Sequence, residues 1–278
     1  MVAPLSDQEF KSISKTLEEL TGISLNDQQS YLVEVRLSEL ARSTESATFT
    51  ELLQKAKSSP DDIMPKLIDF MTTNETSWFR DQGVWAWLES NLIPDLVDKL
   101  HRNEISTCRI WSAACSTGQE LYTTKILIHE CLESRSLKSM ASRFELLGTD
   151  ISDSSLYLAR QGVYNKFSMI RGMPENLRDK YFEPATGSSW KVSEELRMNT
   201  RFEKHNLKQS FAKFGSFHLV FCRNVMIYFT DAFRTELLKS LHRSLAPDGV
   251  FFTGSSENVQ RYNQDLKQVR ESGVIYYV

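Results

Sequence analysis

The stretch FHLVFCRNVMIYFT, residues 217–230, decides the fold. It is apolar almost throughout, but Arg223 and Asn224 interrupt its middle. The run from Phe217 to Cys222 reads as a strand buried on both faces, as in a parallel sheet. A guanidinium and an amide at its end are either solvated in a loop or lining a site. Ligands of parallel sheets lie beyond the carboxyl ends of the strands, which favours the site. Tyr228 follows on the same connection.

Working outward, CRIWSAAC (108–115), FELLGTD (144–150), VFFTGSSE (250–257) and GVIYYV (273–278) are further strand-like runs. Helical patterns lie between them in LYTTKILIHECLE (121–133), ISDSSLYLARQG (151–162) and DAFRTELLKSLHRSL (231–245). Such alternation predicts an α/β fold with a mostly parallel sheet covered on both faces. The informative residues are then those just past each strand. After the first strand, STGQE (116–120) brings small residues and Gly118, which let the backbone approach a ligand. A tight turn, with Glu120 merely favouring the helix dipole, is the alternative. After the second strand comes Asp150, where α/β nucleotide sites place the acid that holds ribose hydroxyls. A helix N-cap is its alternative.

The first 82 residues read as a small helical domain. SDQEF (6–10) is a capping box from Ser6 to Glu9, followed by Phe10, Ile13, Leu17 and Leu20 at helical spacing. Helices are also expected in YLVEVRLSELARS (31–43), in TFTELLQKA (48–56, a capping box from Thr48 to Glu51) and in SPDDIMPKLIDFM (59–71). In the last, Pro60 stands at a first-turn position with two acids after it. This part carries eight basic against fourteen acidic residues, net −6, and the remainder nets +3, for −3 over 278 residues. That balance argues against a nucleic-acid surface. The N-terminus MVAPLSDQEF shows no signal peptide, and no apolar run is long enough to insert in a membrane, so a cytoplasmic protein is expected. Cys108, Cys115, Cys131 and Cys222 lack C-x-x-C spacing and nearby histidine partners, which points to reduced thiols and no metal. The five histidines are scattered singly and read as surface or packing residues.

A nucleotide-like site without GxGxxG suggests S-adenosylmethionine. MTTNETSWFRD (71–81), WSAACSTGQE (111–120), GTDIS (148–152), FCRNVMIYF (221–229) and LAPDGVFFTGSSEN (245–258) together closely resemble the CheR family, methyltransferases that esterify glutamate side chains of chemoreceptors. The resemblance implies a Rossmann-like class I S-adenosylmethionine-dependent methyltransferase domain over 83–278. It also implies an all-helical docking domain over 1–82 and a small antiparallel β-subdomain inserted at about 163–205. It places Asn74, Thr76, Arg80, Glu120, Asp150, Asn206, Leu207, Arg223 and Asn224 at the cofactor, and Arg80 and Tyr228 at the methyl-transfer centre. The product would be S-adenosyl-L-homocysteine, with no metal involved.

The resemblance further implies a partner, the chemoreceptor cytoplasmic helical domain. The family's helical domain is expected to be basic, whereas this one is acidic; Arg36 and Arg42 are the pair expected to face the receptor. Between Phe182 and Trp190 only Gly187 remains of a glycine-rich loop that in some members tethers a receptor pentapeptide, so pentapeptide-independent recognition is expected. Two alternatives stay open: a non-catalytic relative that binds cofactor and scaffolds a signalling array, or a methyltransferase for another substrate. No N-P-P-[YF] element is present to support methylation of an amino group.

Overall fold

The computed structural model describes residues 2–278. Four helices come first: α1 (Asp7–Thr21), α2 (Ser30–Ser43), α3 (Phe49–Ser58) and α4 (Ile63–Met71). The Ser6–Glu9 capping box is present, and α1 ends on left-handed Gly22. At α3, Thr48 accepts from the Glu51 amide, but the Glu51 carboxylate takes the Ala47 N–H instead of that of Thr48. The fourth helix starts later than expected: Pro60 lies in a turn, and Ile63 is the first helical residue. Phe10, Leu17, Val33, Leu37, Phe49 and Leu67 close a core of this unit alone. The unit ends with α4 at Met71, because residues 72–81 form no helix and run along the cleft described below.

The remainder contains α5 (Gln82–Trp87), α6 (Ile93–His101), β1 (Cys108–Ala113), α7 (Gln119–Ser134), β2 (Phe144–Asp150), α8 (Asp153–Gln161), β3 (Val163–Asn165), α9 (Lys166–Ile170) and α10 (Glu175–Tyr181). After these come β4 (Phe182–Ala185), β5 (Ser189–Val192), α11 (Glu194–Arg197), β6 (Thr200–Lys204), β7 (Phe217–Cys222), α12 (Asp231–Arg243), β8 (Leu245–Thr253), β9 (Gln268–Glu271) and β10 (Val274–Tyr277). Seven strands form one sheet in the order β6-β2-β1-β7-β8-β10-β9. The first five are parallel, and β10 pairs antiparallel with both β8 and β9. One face packs Leu121, Ile128, Phe221 and Phe252, the other Trp111, Val220, Leu237 and Phe251. Strand order runs outward in opposite directions from β1 and β7, so the crevice between their carboxyl ends is the topological switch point.

The antiparallel insertion is smaller than expected. Strands β3, β5 and β4 form it, spanning residues 163–192. Thr200–Lys204, within the 163–205 bounds expected for this subdomain, instead forms β6, which pairs with β2 from Leu146↔Thr200 to Asp150↔Lys204. The cause is position: an edge strand is open on one side and shows the half-polar alternation of a hairpin. The same ambiguity hid β9 at the opposite edge.

Candidate active site

The carboxyl ends of β1, β2 and β7 open into a cleft that the N-terminal helices and residues 72–80 cover. The space between its walls, mouth and open solvent included, comes to about 1360 Å³. Asn74, Thr76, Arg80, Glu120, Asp150, Asn206, Leu207, Arg223, Asn224 and Tyr228 all line it. Every residue expected at the cofactor or transfer centre therefore meets in one place.

The floor is the turn after β1. Ala114 (φ 61) and Ser116 (φ 49) are left-handed without being glycine, a strain that clusters at ligand sites. Ser116 N–H donates to Asp150 Oδ2 at 2.7 Å, and its hydroxyl to the Asn74 carbonyl at 2.7 Å. Ser152 N–H donates to Asp150 Oδ1 at 3.0 Å. Capping of α8 falls to Ser152, which leaves Asp150 free to brace the turn. Burial pushes the Asp150 carboxyl up, against the pull of these amides. Gly118 has a different role from the expected one: a Cβ there would lie 3.0 Å from Ala159 and from Phe202, and it does not line the cleft. Its glycine serves packing, and the backbone near the ligand is Ala114–Ser116.

Glu120 and Arg223 face each other. Arg223 Nη1 donates to Glu120 Oε2 at 2.7 Å, and Nη2 to Asp81 Oδ2 at 2.6 Å and to the Arg80 carbonyl at 2.9 Å. Glu120 Oε1 accepts from the Ser112 hydroxyl at 2.8 Å. The Arg223 side chain is only 3% exposed. Burial works against its charge, but Glu120 and Asp81 outweigh it and hold the guanidinium protonated. These groups therefore frame the cleft from inside, a use the resemblance did not foresee. Asp81, Ser112 and Trp85, whose indole N–H donates to the Arg80 carbonyl at 2.7 Å, were missed. Asp81 and Ser112 stand inside the quoted motifs 71–81 and 111–120, and Trp85 lies four residues beyond the first.

Arg80 is thus fixed through its backbone, while its guanidinium makes one 3.3 Å bond, to the Glu75 carbonyl. Tyr228 is held by its carbonyl, which accepts from Ser24 N–H at 2.8 Å, and no bond from its hydroxyl to protein is present among the described residues. Asn74 Nδ2 reaches Thr72 Oγ1 at 3.2 Å and Ser152 Oγ at 3.3 Å. Asn206 spends its amide on the Leu20 carbonyl at 2.6 Å, so it joins the helical unit to the sheet as well as lining the cleft. Lys208 adds bonds to the Glu18 and Glu19 carbonyls at 3.1 and 2.7 Å.

Arg36 and Arg42, the pair expected to face the receptor, sit in different surroundings. Arg36 donates to the Met71 carbonyl at 3.0 Å and Thr73 Oγ1 at 3.1 Å and lines the cleft, closing the carboxyl end of α4. Arg42 is exposed and reaches only the Ser38 carbonyl at 3.2 Å. Six residues apart, they point about 120° away from each other round the helix. Histidine 205 lines the cleft with Nε2 buried and unpartnered, and burial lowers its pKa. Burial raises the thiols of Cys115 and Cys222, which keeps them protonated; all four cysteines are free.

Residues 74–275 match the family model described as CheR methyltransferase, SAM binding domain, and residues 8–72 match its all-alpha domain. The chain belongs to the CheR family of chemotaxis methyltransferases. Chemotaxis protein methyltransferase Cher2 of Pseudomonas putida is 33% identical over 270 residues, covering 96% of this chain and 97% of the relative. Chemotaxis protein methyltransferase 1 of Pseudomonas aeruginosa is 34% identical, covering 98% of both chains. A chemotaxis protein methyltransferase of Vibrio parahaemolyticus is 34% identical, covering 98% of this chain and 97% of its own. The cleft fits the S-adenosylmethionine of a CheR protein: it offers a strained backbone cradle, an acid after β2, and a guanidinium open to a carboxylate. Among the described residues no helix is long and apolar enough to cross a membrane.

Proposed function

We propose that this CheR protein transfers the methyl group of S-adenosylmethionine to glutamate side chains on the cytoplasmic helical domain of chemoreceptors, giving methyl esters for sensory adaptation. The observation that carries the reading is the pairing of Arg80 and Tyr228. Both are anchored by their backbone, and both line the same cleft. The names of the relatives support the chemotaxis setting.

S-adenosylmethionine supplies an electrophilic methyl group on a positively charged sulfur. Asn74, Thr76, Asp150, Leu207 and Asn224 would hold it, with Glu120 and Arg223 fixing the wall. A glutamate carboxylate, reference pKa about 4.3, is already ionised at neutral pH, so no general base is needed. The chain's task is alignment, with reacting atoms about 3–3.5 Å apart. Arg80 suits a carboxylate because its planar fork fixes direction as well as charge. The Tyr228 hydroxyl donates to the oxygen that does not attack. Few contacts to the attacking oxygen are wanted, because stabilising the carboxylate ground state slows the transfer. Receptor recognition is pentapeptide-independent: the β4–β5 connection is residues 186–188 alone, with left-handed Gly187 and no glycine-rich extension.

Incubation with tritiated S-adenosylmethionine and receptor-containing membranes tests the function. Label released as methanol in mild base is expected; base-stable label, or none, overturns it. For recognition, calorimetry with a receptor C-terminal peptide should show no binding, and measurable binding would refute pentapeptide independence.

A further inference from the structure

The β7–α12 connection carries Asn224 and Tyr228, and charged side chains grip its backbone from two sides. Glu257 accepts four N–H groups. Asn224 (2.9 Å) and Gly254 (2.7 Å) bind Oε2, while Val225 (3.0 Å) and Met226 (2.7 Å) bind Oε1. Asn224 is left-handed (φ 59), and successive N–H groups beyond such a residue converge into a concavity that attracts anions. In this chain a buried carboxylate of its own fills that concavity. On the opposite side, Arg234 donates Nε to the Met226 carbonyl at 2.7 Å and Nη2 to the Ile227 carbonyl at 3.1 Å. Its Nη1 bonds Tyr262 at 2.9 Å and Asp231 at 3.3 Å, and Tyr262 also donates to Asp231 at 2.8 Å, which keeps the guanidinium in place. A Cβ at Gly254 would lie 2.6 Å from Asn224 Nδ2, so the end of β8 and the turn touch with no room between them.

We propose that Glu257 and Arg234 are positioning residues, which set the Asn224–Tyr228 turn so that Tyr228 meets the incoming carboxylate. The proposal rests on the transfer role given to Tyr228 above. Glu257 supplies four acceptor contacts where a glutamine of equal size would aim an NH2 at N–H donors. Charge and acceptor count therefore matter more than side-chain bulk.

Hydrogen exchange of the free protein and steady-state methyl transfer test it with Glu257→Gln, Glu257→Asp and Arg234→Met. In Glu257→Gln, amides of residues 224–228 should exchange about 10- to 100-fold faster, since buried donors lose their acceptors. Its kcat should fall on the order of 100-fold, more than the KM for S-adenosylmethionine rises. The shorter Glu257→Asp keeps both oxygens and should recover part of that rate. Unchanged exchange at 224–228, or Gln outperforming Asp, overturns the proposal. If Glu257→Gln does not fold, Arg234→Met should accelerate exchange at residues 226–228, and wild-type protection there overturns it equally. Exchange is read without substrate, so the clamp and the role of Tyr228 fail separately: a Tyr228→Phe protein at full rate removes the tyrosine while faster exchange in Glu257→Gln stands.

Discussion

Removing the charge of Glu120 is the sharpest structural perturbation available. In Glu120→Gln the Arg223 guanidinium, 3% exposed, keeps only Asp81 and the Arg80 carbonyl, and Asp81 is 39% exposed. Breaking one partner of a buried ion pair costs about 3–5 kcal/mol, because a charge stays buried without compensation. Here the remaining Asp81 bond puts the loss near the lower end, about 3 kcal/mol. At about 2–4 °C per kcal/mol for chains near this size, the melting temperature should drop on the order of 10 °C. Arg223→Met should destabilise similarly, and the double variant should cost less than the two losses added, with a coupling of about 1 kcal/mol or more. Urea unfolding read by tryptophan fluorescence suits the assay, since Trp85 lies 5.9 Å from the guanidinium. Calorimetry with S-adenosylhomocysteine separates frame from contact. An Arg223→Met protein that melts like the wild type but no longer binds that ligand would refute the frame and make Arg223 a direct cofactor contact.

Three further outcomes follow from the same geometry. Tyr228→Phe should keep S-adenosylhomocysteine affinity and lower kcat, about 10-fold for one lost hydrogen bond; a wild-type rate removes Tyr228 from the transfer. Lys125 in α7 is fully buried, and desolvation lowers its pKa from 10.5 to about 8. The unfolded chain therefore binds the extra proton between those values, and wild-type stability should rise from pH 8 toward 10.5. Lys125→Met should be more stable by about 3 kcal/mol at pH 7, with the gain fading above pH 8; a destabilised variant in chemical denaturation contradicts this. Gly22→Ala places a Cβ 2.2 Å from the Phe233 ring at φ +79, so it should loosen the helical unit from the sheet and weaken cofactor binding; unchanged affinity and melting would show that the clasp is dispensable.

How far the sequence could be read depended on whether the signal was local. β7 was legible in FHLVFC because a central strand buried on both faces announces itself by an apolar run, here broken only by His218. The edge strands β6 and β9 carry only alternation, which fits a hairpin as well as a sheet margin. Asp150 was legible from its place after β2, and its competing role as a cap fell to Ser152, a hydroxyl two residues on. What hid from the sequence was the wiring between distant positions. Arg223 joins Glu120 and Asp81, more than a hundred residues away, and nothing local distinguishes a guanidinium aimed inward from one aimed at a ligand. Arg36 looked like half of a basic stripe, yet the open end of α4 captures it. Glu257 sat inside a quoted motif, but its task appears only when β8 and the Asn224 turn are brought together.

The central claim is ester formation on a receptor glutamate at the Arg80–Tyr228 end of the cleft. Mass spectrometry of a chemoreceptor cytoplasmic domain, after incubation with the protein and S-adenosylmethionine, tests it most directly. The expected result is methylation on glutamate side chains, reversed by mild alkali and strongly reduced with Arg80→Met. Methylation confined to nitrogen side chains, or an unmodified receptor beside a protein that binds S-adenosylmethionine, would contradict it.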